Sequence, residues 1–262
     1  MRLTILGSGT YQPELERHGS AYLIETENPP AGGKICFDFG RGAIEQLLKV
    51  GIQITEIGAI FISHWHSDHI ADLTSLLHYT TAPLPDKLSN IPARKNPLKI
   101  YGPEGTLENI KKLLQIIHYG DDSLNNIEVK EIAEDKIAGD GWTVWSYPTV
   151  HNADSKPICY RLESEGKVFA YSGDSIASDS LKKAVKDADL AVIEAGWPSE
   201  VNPKTHMTGQ KAGKIAQDEG VKKLIITHMS PYFLKNFDPI KETKETFSGE
   251  VILAKDLLEI EV

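Results

Sequence analysis

The sequence predicts a layered α/β protein with a substantial share of antiparallel sheet. Two observations carry that expectation. Strand-like runs dominate the start of the chain, and strands and helices mix only afterwards, which is not the regular alternation of a pure βαβ repeat. The 262 residues are 40% hydrophobic and 25% charged, enough to bury a sizeable core and ordinary for a globular chain. No internal repeat or low-complexity tract divides the sequence, so residues 1–262 are read as one domain.

The elements follow in order. Residues 3–6, 21–24 and 34–39 are short apolar or alternating runs of strand type. Residues 43–50 switch to helical spacing, 59–62 form an apolar run suited to a buried strand, and 70–78 are helical again. Residues 80–97 hold four prolines and little periodicity, so they read as a loop. A strand at 98–101 and a helix at 105–118 come next, then strands at 127–132, 142–147, 158–162 and 168–172. A helix at 181–187, a strand at 190–193, a helix at 210–219 and strands at 224–227 and 251–253 complete the series.

Charge and composition exclude several classes. A formal net charge of -9 argues against broad nucleic-acid binding, which neutralises phosphates with Lys and Arg. Cys36 and Cys159 are too few for a disulfide framework, and both sit in strand-like runs where buried free thiols are expected. The N-terminal apolar run ends at Leu6, short of a secretory segment, and no apolar stretch approaches the ~20 residues of a membrane span. The expected location is the cytoplasm, with no membrane partner. The glycine turn "GSGTYQ" lacks the third glycine of a dinucleotide fingerprint, and Pro13 interferes with an immediate helix, so no nucleotide cofactor is expected.

Chemistry concentrates in "HWHSDH", where three of the nine histidines fall within six residues after the strand at 59–62. His64 and His66, two apart on an extended segment, share a face. Asp68 and His69 follow as the chain turns and can address a neighbouring position. Imidazole and carboxylate suit Zn, Mn or Fe, and two offset pairs suit two metals ~3.5–4 Å apart. A helix cap at Ser67 or Asp68 would explain one residue and leave three histidines unexplained. His151, Asp174 and His228 each follow another apolar strand candidate, so several strand ends can converge on one rim. Taken alone, a carboxylate after "SG" is more often a turn residue. His78 and His118 lie on helical patterns and read as structural. Tyr11, Arg17 and His18 belong to the opening loop, where contact with an anionic substrate competes with a plain solvated loop.

"HWHSDH", His151, "SGDS" and "THMS" resemble the metal signature of the metallo-β-lactamase superfamily, and in particular its ribonuclease Z-like branch. The likeness extends through "LTILGSGTYQPELERHGSAYLIE", "ICFDFGRGAIEQLLKVGI", "IYGPEGT" and "KTHMTGQKAGKIAQDEGVKKLIITHMSP", and so covers nearly the whole chain. It implies a four-layer αββα sandwich with two divalent metal ions, Zn before Mn or Fe, at one edge between the sheets. By that resemblance His64, His66 and His151 hold one ion, Asp68, His69 and His228 hold the other, and Asp174 bridges. Asp68 would orient or deprotonate the attacking water, which two ions and a carboxylate activate near neutral pH. His206, matching the family's histidine in a His-x-Thr loop, would protonate the leaving group, with Glu194 orienting it.

The resemblance also bears on the substrate. Members that process tRNA carry a long clamping arm between the third and fourth metal motifs; here His151 to Asp174 holds only "NADSKPICYRLESEGKVFAYSG". Ile193 stands where those members have histidine. The chain is more similar to arm-less relatives, which implies a phosphodiesterase acting on small cyclic or nucleotide-type phosphodiesters, with RNA disfavoured. The alternatives are a ribonuclease Z-type tRNA 3′-processing endonuclease and a thioesterase, lactonase or other carboxylic-ester hydrolase. Relatives in the branch are commonly homodimers.

Overall fold

Among the described residues fourteen strands and eight α-helices are ordered so that two sheets form back to back. In the computed structural model, residues 1–26, 34–82, 89–117, 124, 126–152 and 156–262 are described. The first half of the chain runs β1 (Arg2–Gly7), β2 (Ala21–Glu25), β3 (Lys34–Phe37), α1 (Ala43–Lys49), β4 (Ile57–Phe61), α2 (Ser67–Ile70), α3 (Leu73–Thr81), β5 (Leu98–Gly102), α4 (Thr106–Ile116) and β6 (Ile127–Glu131). The second half runs β7 (Lys136–Ala138), β8 (Trp142–Pro148), β9 (Ile158–Ser164), β10 (Lys167–Tyr171), α5 (Asp179–Val185), β11 (Leu190–Glu194), α6 (Gly209–Asp218), β12 (Lys223–Thr227), α7 (Pro231–Asn236), α8 (Pro239–Lys244), β13 (Glu250–Leu253) and β14 (Glu259–Glu261).

Each sheet has seven strands, ordered β14-β1-β2-β3-β4-β5-β6 and β13-β12-β11-β10-β9-β8-β7. Pairing is antiparallel from β14 to β3 and from β7 to β10, and parallel from β3 to β6 and from β10 to β13. The mixture is what the strand-first, helix-later sequence predicts.

Burial makes the layers. Between the sheets lies an aromatic-rich core that includes Tyr22, Phe37, Phe61, Tyr160, Phe169 and Tyr171. A second apolar layer seats α1, α3 and α4 on the outer face of the first sheet, through residues such as Leu47, Leu73, Leu77 and Ile110. A third seats α5 and α6 on the second sheet, through Leu181, Val185, Ala212 and Ile215. The inner parallel strands β4 (IGAIF) and β11 (LAVIE) are apolar on both faces because each is covered twice, with every residue buried. The result is the αββα sandwich.

Three differences from the sequence expectation have physical causes. The helix at 70–78 is two helices, α2 and α3, broken at Asp72, whose N–H donates to the Phe39 carbonyl (3.2 Å) and whose carboxylate accepts the Ile44 N–H at the start of α1 (3.0 Å). β7 and β14 are three-residue edge strands, too short to show a period. α7 and α8 have only six residues each. His118 and part of the proline-rich loop fall outside the described residues. Both cysteines are buried free thiols, and burial pushes the Cys159 thiol up to about 12.

Candidate metal centre

Strand direction builds the site. β1, β3, β4, β8, β10, β11 and β12 all deliver their carboxyl ends to one rim, where loops can aim side chains at a common point. Asp38 follows β3, the His64–His69 loop follows β4, His151 follows β8, Asp174 follows β10, Glu194 ends β11 and His228 follows β12.

Among the described residues four overlapping donor groups result, each with its ligand atoms within 4.8 Å of one another: His64, His66, His151 and Asp174; Asp68, His69 and His228; and two that include His206, with His151 and Glu194 or with Asp174 and His228. Asp174 stands between the first two with one oxygen for each. Its Oδ2 lies 3.8 Å from both His64 Nε2 and His151 Nε2. Its Oδ1 lies 3.3 Å from His69 Nε2 and 3.4 Å from His228 Nε2. Asp68 Oδ2 sits 3.1 Å from His228 Nε2 and 3.6 Å from His69 Nε2. The seven residues that the sequence singled out as ligands therefore lie together in space. No side chain caps the start of α2, so a capping role for Ser67 or Asp68 has no counterpart.

A divalent ion fits this donor set. His64 Nε2, His69 Nε2 and Asp174 Oδ1 are buried without a hydrogen-bond partner. Orphaned polar atoms of this kind are costly unless something binds them, and these three converge on the same small space.

The outer contacts fix which imidazole nitrogen faces inward. His69 Nδ1 is held by Asp38 Oδ2 at 2.6 Å, His64 Nδ1 by Ser63 Oγ at 3.0 Å, and His151 Nδ1 donates to the Thr205 carbonyl at 2.8 Å. Asp38 is fully occupied: it also accepts the Ser63 N–H (2.6 Å), the Ser63 hydroxyl (2.7 Å) and the Tyr171 hydroxyl (2.6 Å). Asn152 Nδ2 lies 3.0 Å from His66 Nε2.

Electrostatics follow from burial and these neighbours. Burial disfavours the ionised form of Asp174 and Asp68, but the imidazoles of His228 and His69 facing Asp174, and of His69 and His228 facing Asp68, hold both carboxyls below their usual range. Burial lowers His64. His69 is buried too, yet Asp174, Asp38 and Asp68 around it raise it well above the ordinary imidazole value.

His206 and Glu194 lie at the edge of the cluster. His206 Nδ1 is 3.1 and 3.2 Å from the two Glu194 oxygens and 4.0 Å from Asp174 Oδ2. Glu194 is itself fixed by the Ser175 N–H, which donates to Oε1 at 2.6 Å. Burial would lower His206, but the Glu194 hydrogen bond and charge raise it to about 9.

Asp38, Asn152 and the Thr205 carbonyl escaped the sequence reading. Asp38 carries the same signal as the others, an acid directly after an apolar strand, but "FDFG" also reads as an ordinary turn. The opening-loop residues divide. Arg17 turns inward, donating to the Ser8 and Met229 carbonyls (2.8 and 3.0 Å), and His18 pairs with Asp256 at 2.7 Å. Neither lines the cavity over the cluster; both are partly buried and tied down by these contacts. Tyr11 alone of the three lines the cavity over the cluster.

That cavity measures about 670 Å³, within the usual ~300–1,000 Å³ range of ligand sites. Asp68, Asp174 and His228 lie at its base, His206 on one side, and Trp197 and Tyr11 farther out.

Residues 35–229 match the model of the Beta-lactamase superfamily domain. A ribonuclease Z from Methanosarcina acetivorans is 26% identical over 316 residues, covering 100% of this chain and 98% of its own. The metallo-beta-lactamase fold protein YhfI from Bacillus subtilis superposes with a TM-score of 0.81 at 23% identity, over 99% of each chain. A diphosphatase from the PhnP family superposes at 0.73 with 22% identity, over 100% of this chain and 97% of that one. Among the described residues no helix is long and apolar enough to cross a membrane.

Proposed function

The chain belongs to the beta-lactamase superfamily and is a hydrolase of that fold, and from this premise we propose that it is a phosphodiesterase acting on small cyclic or nucleotide-type phosphodiesters. The residues assigned to two divalent ions, Zn before Mn or Fe, are His64, His66 and His151 for one, Asp68, His69 and His228 for the other, with Asp174 shared. When bound, such ions supply Lewis acidity, which activates water near neutral pH and neutralises charge on a phosphoryl group. Asp68, ionised at the cavity base, orients the attacking water. His206, kept protonated by Glu194, delivers a proton to the departing alcohol.

The observation that carries this reading is the compactness of the segment between His151 and Asp174. β9 and β10 pair directly and turn at Glu165 and Gly166, both with positive φ (56° and 69°), a tight two-residue reversal, and among the described residues of this segment no arm projects. The cavity size suits one small ligand. The Methanosarcina alignment runs to 316 residues against this chain's 262, so that relative carries insertions this chain lacks.

A second reading, tRNA 3′-end processing, is favoured by the name ribonuclease Z borne by the curated relatives, including that of Mycobacterium marinum at 28% identity. One experiment separates the two. The full chain is reconstituted with Zn, Mn or Fe and offered bis-p-nitrophenyl phosphate, 2′,3′-cyclic nucleotides, a thioester, a lactone and a precursor tRNA. Turnover of the small diesters is expected. Cleavage of the tRNA at low salt, falling steeply as salt rises, with the small diesters untouched, would replace this reading by the second. A preference for thioester or lactone would remove both.

A further inference from the structure

The cavity walls say something about the alcohol that departs. One wall is the connection between β11 and α6, which also carries His206. Its two ends are joined, because Trp197 N–H donates to the Met207 carbonyl (3.4 Å) and Trp197 bridges Thr208. From behind, Ser199 donates through its N–H and hydroxyl to Glu242 of α8 (3.2 and 2.9 Å), so the loop is braced. Trp197, Val201 and Pro203 of this loop line the cavity, and Tyr11 of the β1–β2 connection lines it too. Tyr11 is 67% and Val201 44% exposed, apolar surface left open at the mouth.

Among the described residues that line the cavity there is no Lys or Arg. Lys204 stands between two lining residues, Pro203 and Thr205, but is exposed and does not line it. A phosphate away from the cluster would therefore meet apolar and aromatic groups and uncharged polar ones such as Thr10, Gln12 and Asn152, none of which balances its charge. A planar ring would meet aromatic faces on which it can stack.

Resting on the phosphodiesterase reading, we infer that the departing arm is an uncharged alcohol with a planar aromatic face, a nucleoside or a phenol, seated against Trp197, Tyr11, Val201 and Pro203. An arm bearing a second phosphate is discriminated against. The reaction served is hydrolysis. The water oxygen bonds to phosphorus, the bond to the arm's oxygen breaks with its electron pair, His206 gives that oxygen a proton, and the proton shed by water restores the balance. The loop that holds the arm thus also holds its proton donor.

The test uses the metal-reconstituted full chain and three probes: a dinucleoside monophosphate, the same molecule with a terminal phosphate on either nucleoside, and a nucleoside methyl phosphodiester. The uncharged dinucleoside should show the lowest KM, with the terminal phosphate raising it about tenfold. Trp197→Ala should raise KM for the dinucleoside about tenfold, in keeping with the loss of one stacking face, while changing kcat far less. Trp197→Phe should restore most of the loss. Nucleoside alone should quench the intrinsic fluorescence of the wild-type chain and not that of Trp197→Ala. Lys204→Ala should change none of these values. Equal KM for all arms, or preference for the phosphate-bearing probe that disappears in Lys204→Ala, overturns the inference while the phosphodiesterase reading stands. No cleavage of any diester overturns both. If Trp197→Ala does not fold, the arm comparison in wild type and Trp197→Phe still decides.

Discussion

Glu194 and His206 form a pair whose charge state can be read from kinetics. Burial by itself would lower His206, and the Glu194 carboxylate more than reverses it, to about 9. A raised histidine keeps its proton through neutral pH and loses it as pH climbs through the raised value, so a proton donor of this kind fails on the alkaline side. Divalent ions bound in the neighbouring cluster would oppose the Glu194 effect and would bring that limb below 9. Glu194→Gln removes the carboxylate charge, and the alkaline limb of kcat should move down by about a unit. A pH–rate profile measures it, and an unmoved limb refutes the pairing as the cause. Asp38 acts differently, through His69 Nδ1 and three further donors. Asp38→Asn should weaken metal binding by about 10–100-fold, seen by competition with a chromophoric chelator; unchanged affinity would leave Asp38 a structural acid only. The proposed ligand set was legible in the sequence because each member follows an apolar strand and four of them crowd one motif. Asp38 was not, since nothing local distinguishes its turn from any other. Arg17 and His18 misled for the opposite reason: a polar stretch reads as a wet loop, and only the tertiary partners Ser8, Met229 and Asp256 show it to be tied down.

At the scale of elements, the loop after β10 has little room to change. Gly173 has φ 55°, and a Cβ there would approach Ser63 Cβ to 2.6 Å. Ser63 in turn contacts Asp38 and His64, so any shift reaches the cluster directly. Gly173→Ala should cost about 1–3 kcal/mol by overpacking, readable as a lower urea midpoint, with metal affinity falling alongside stability. Preserved stability and affinity would mean that the loop yields more than this geometry allows. Strands of four or more residues were legible because their apolar runs are dense, and α1, α4, α5 and α6 because their buried faces recur at helical spacing. α7 and α8 left a different trace. Ser230 and Asp238 each precede a proline and cap the helix that follows, accepting the N–H of Phe233 (3.3 Å) and of Lys241 (3.0 Å). Ser-Pro and Asp-Pro are recognisable start signals, but six residues are too few for periodicity to support them. β14 has no local signal; its partner β1 lies at the far end of the chain.

For the whole molecule, the two sheets share one aromatic core and the donor cluster draws on both, β3 and β4 from the first and β8, β10, β11 and β12 from the second. Residues 1–262 should therefore unfold in one transition, with both halves losing structure together; two resolved calorimetric peaks would divide the chain instead. Ion binding stabilises the folded form alone, by about 4 kcal/mol at a thousandfold excess over Kd. At roughly 2–4 °C per kcal/mol for a chain of this size, loading with Zn should raise the melting temperature by about 10 °C relative to chelator-treated protein. No shift would argue that the orphaned nitrogens bind nothing. The Thr205 carbonyl adds a further consequence. The connection that lines the cavity also grips His151 through that carbonyl, so occupant and ion act on the same piece of backbone. Such sites are thermodynamically linked, and linkage is reciprocal: whatever factor a bound ligand adds to ion affinity, the ion returns to the ligand. Occupancy of one, measured by titration, becomes a gauge of the other.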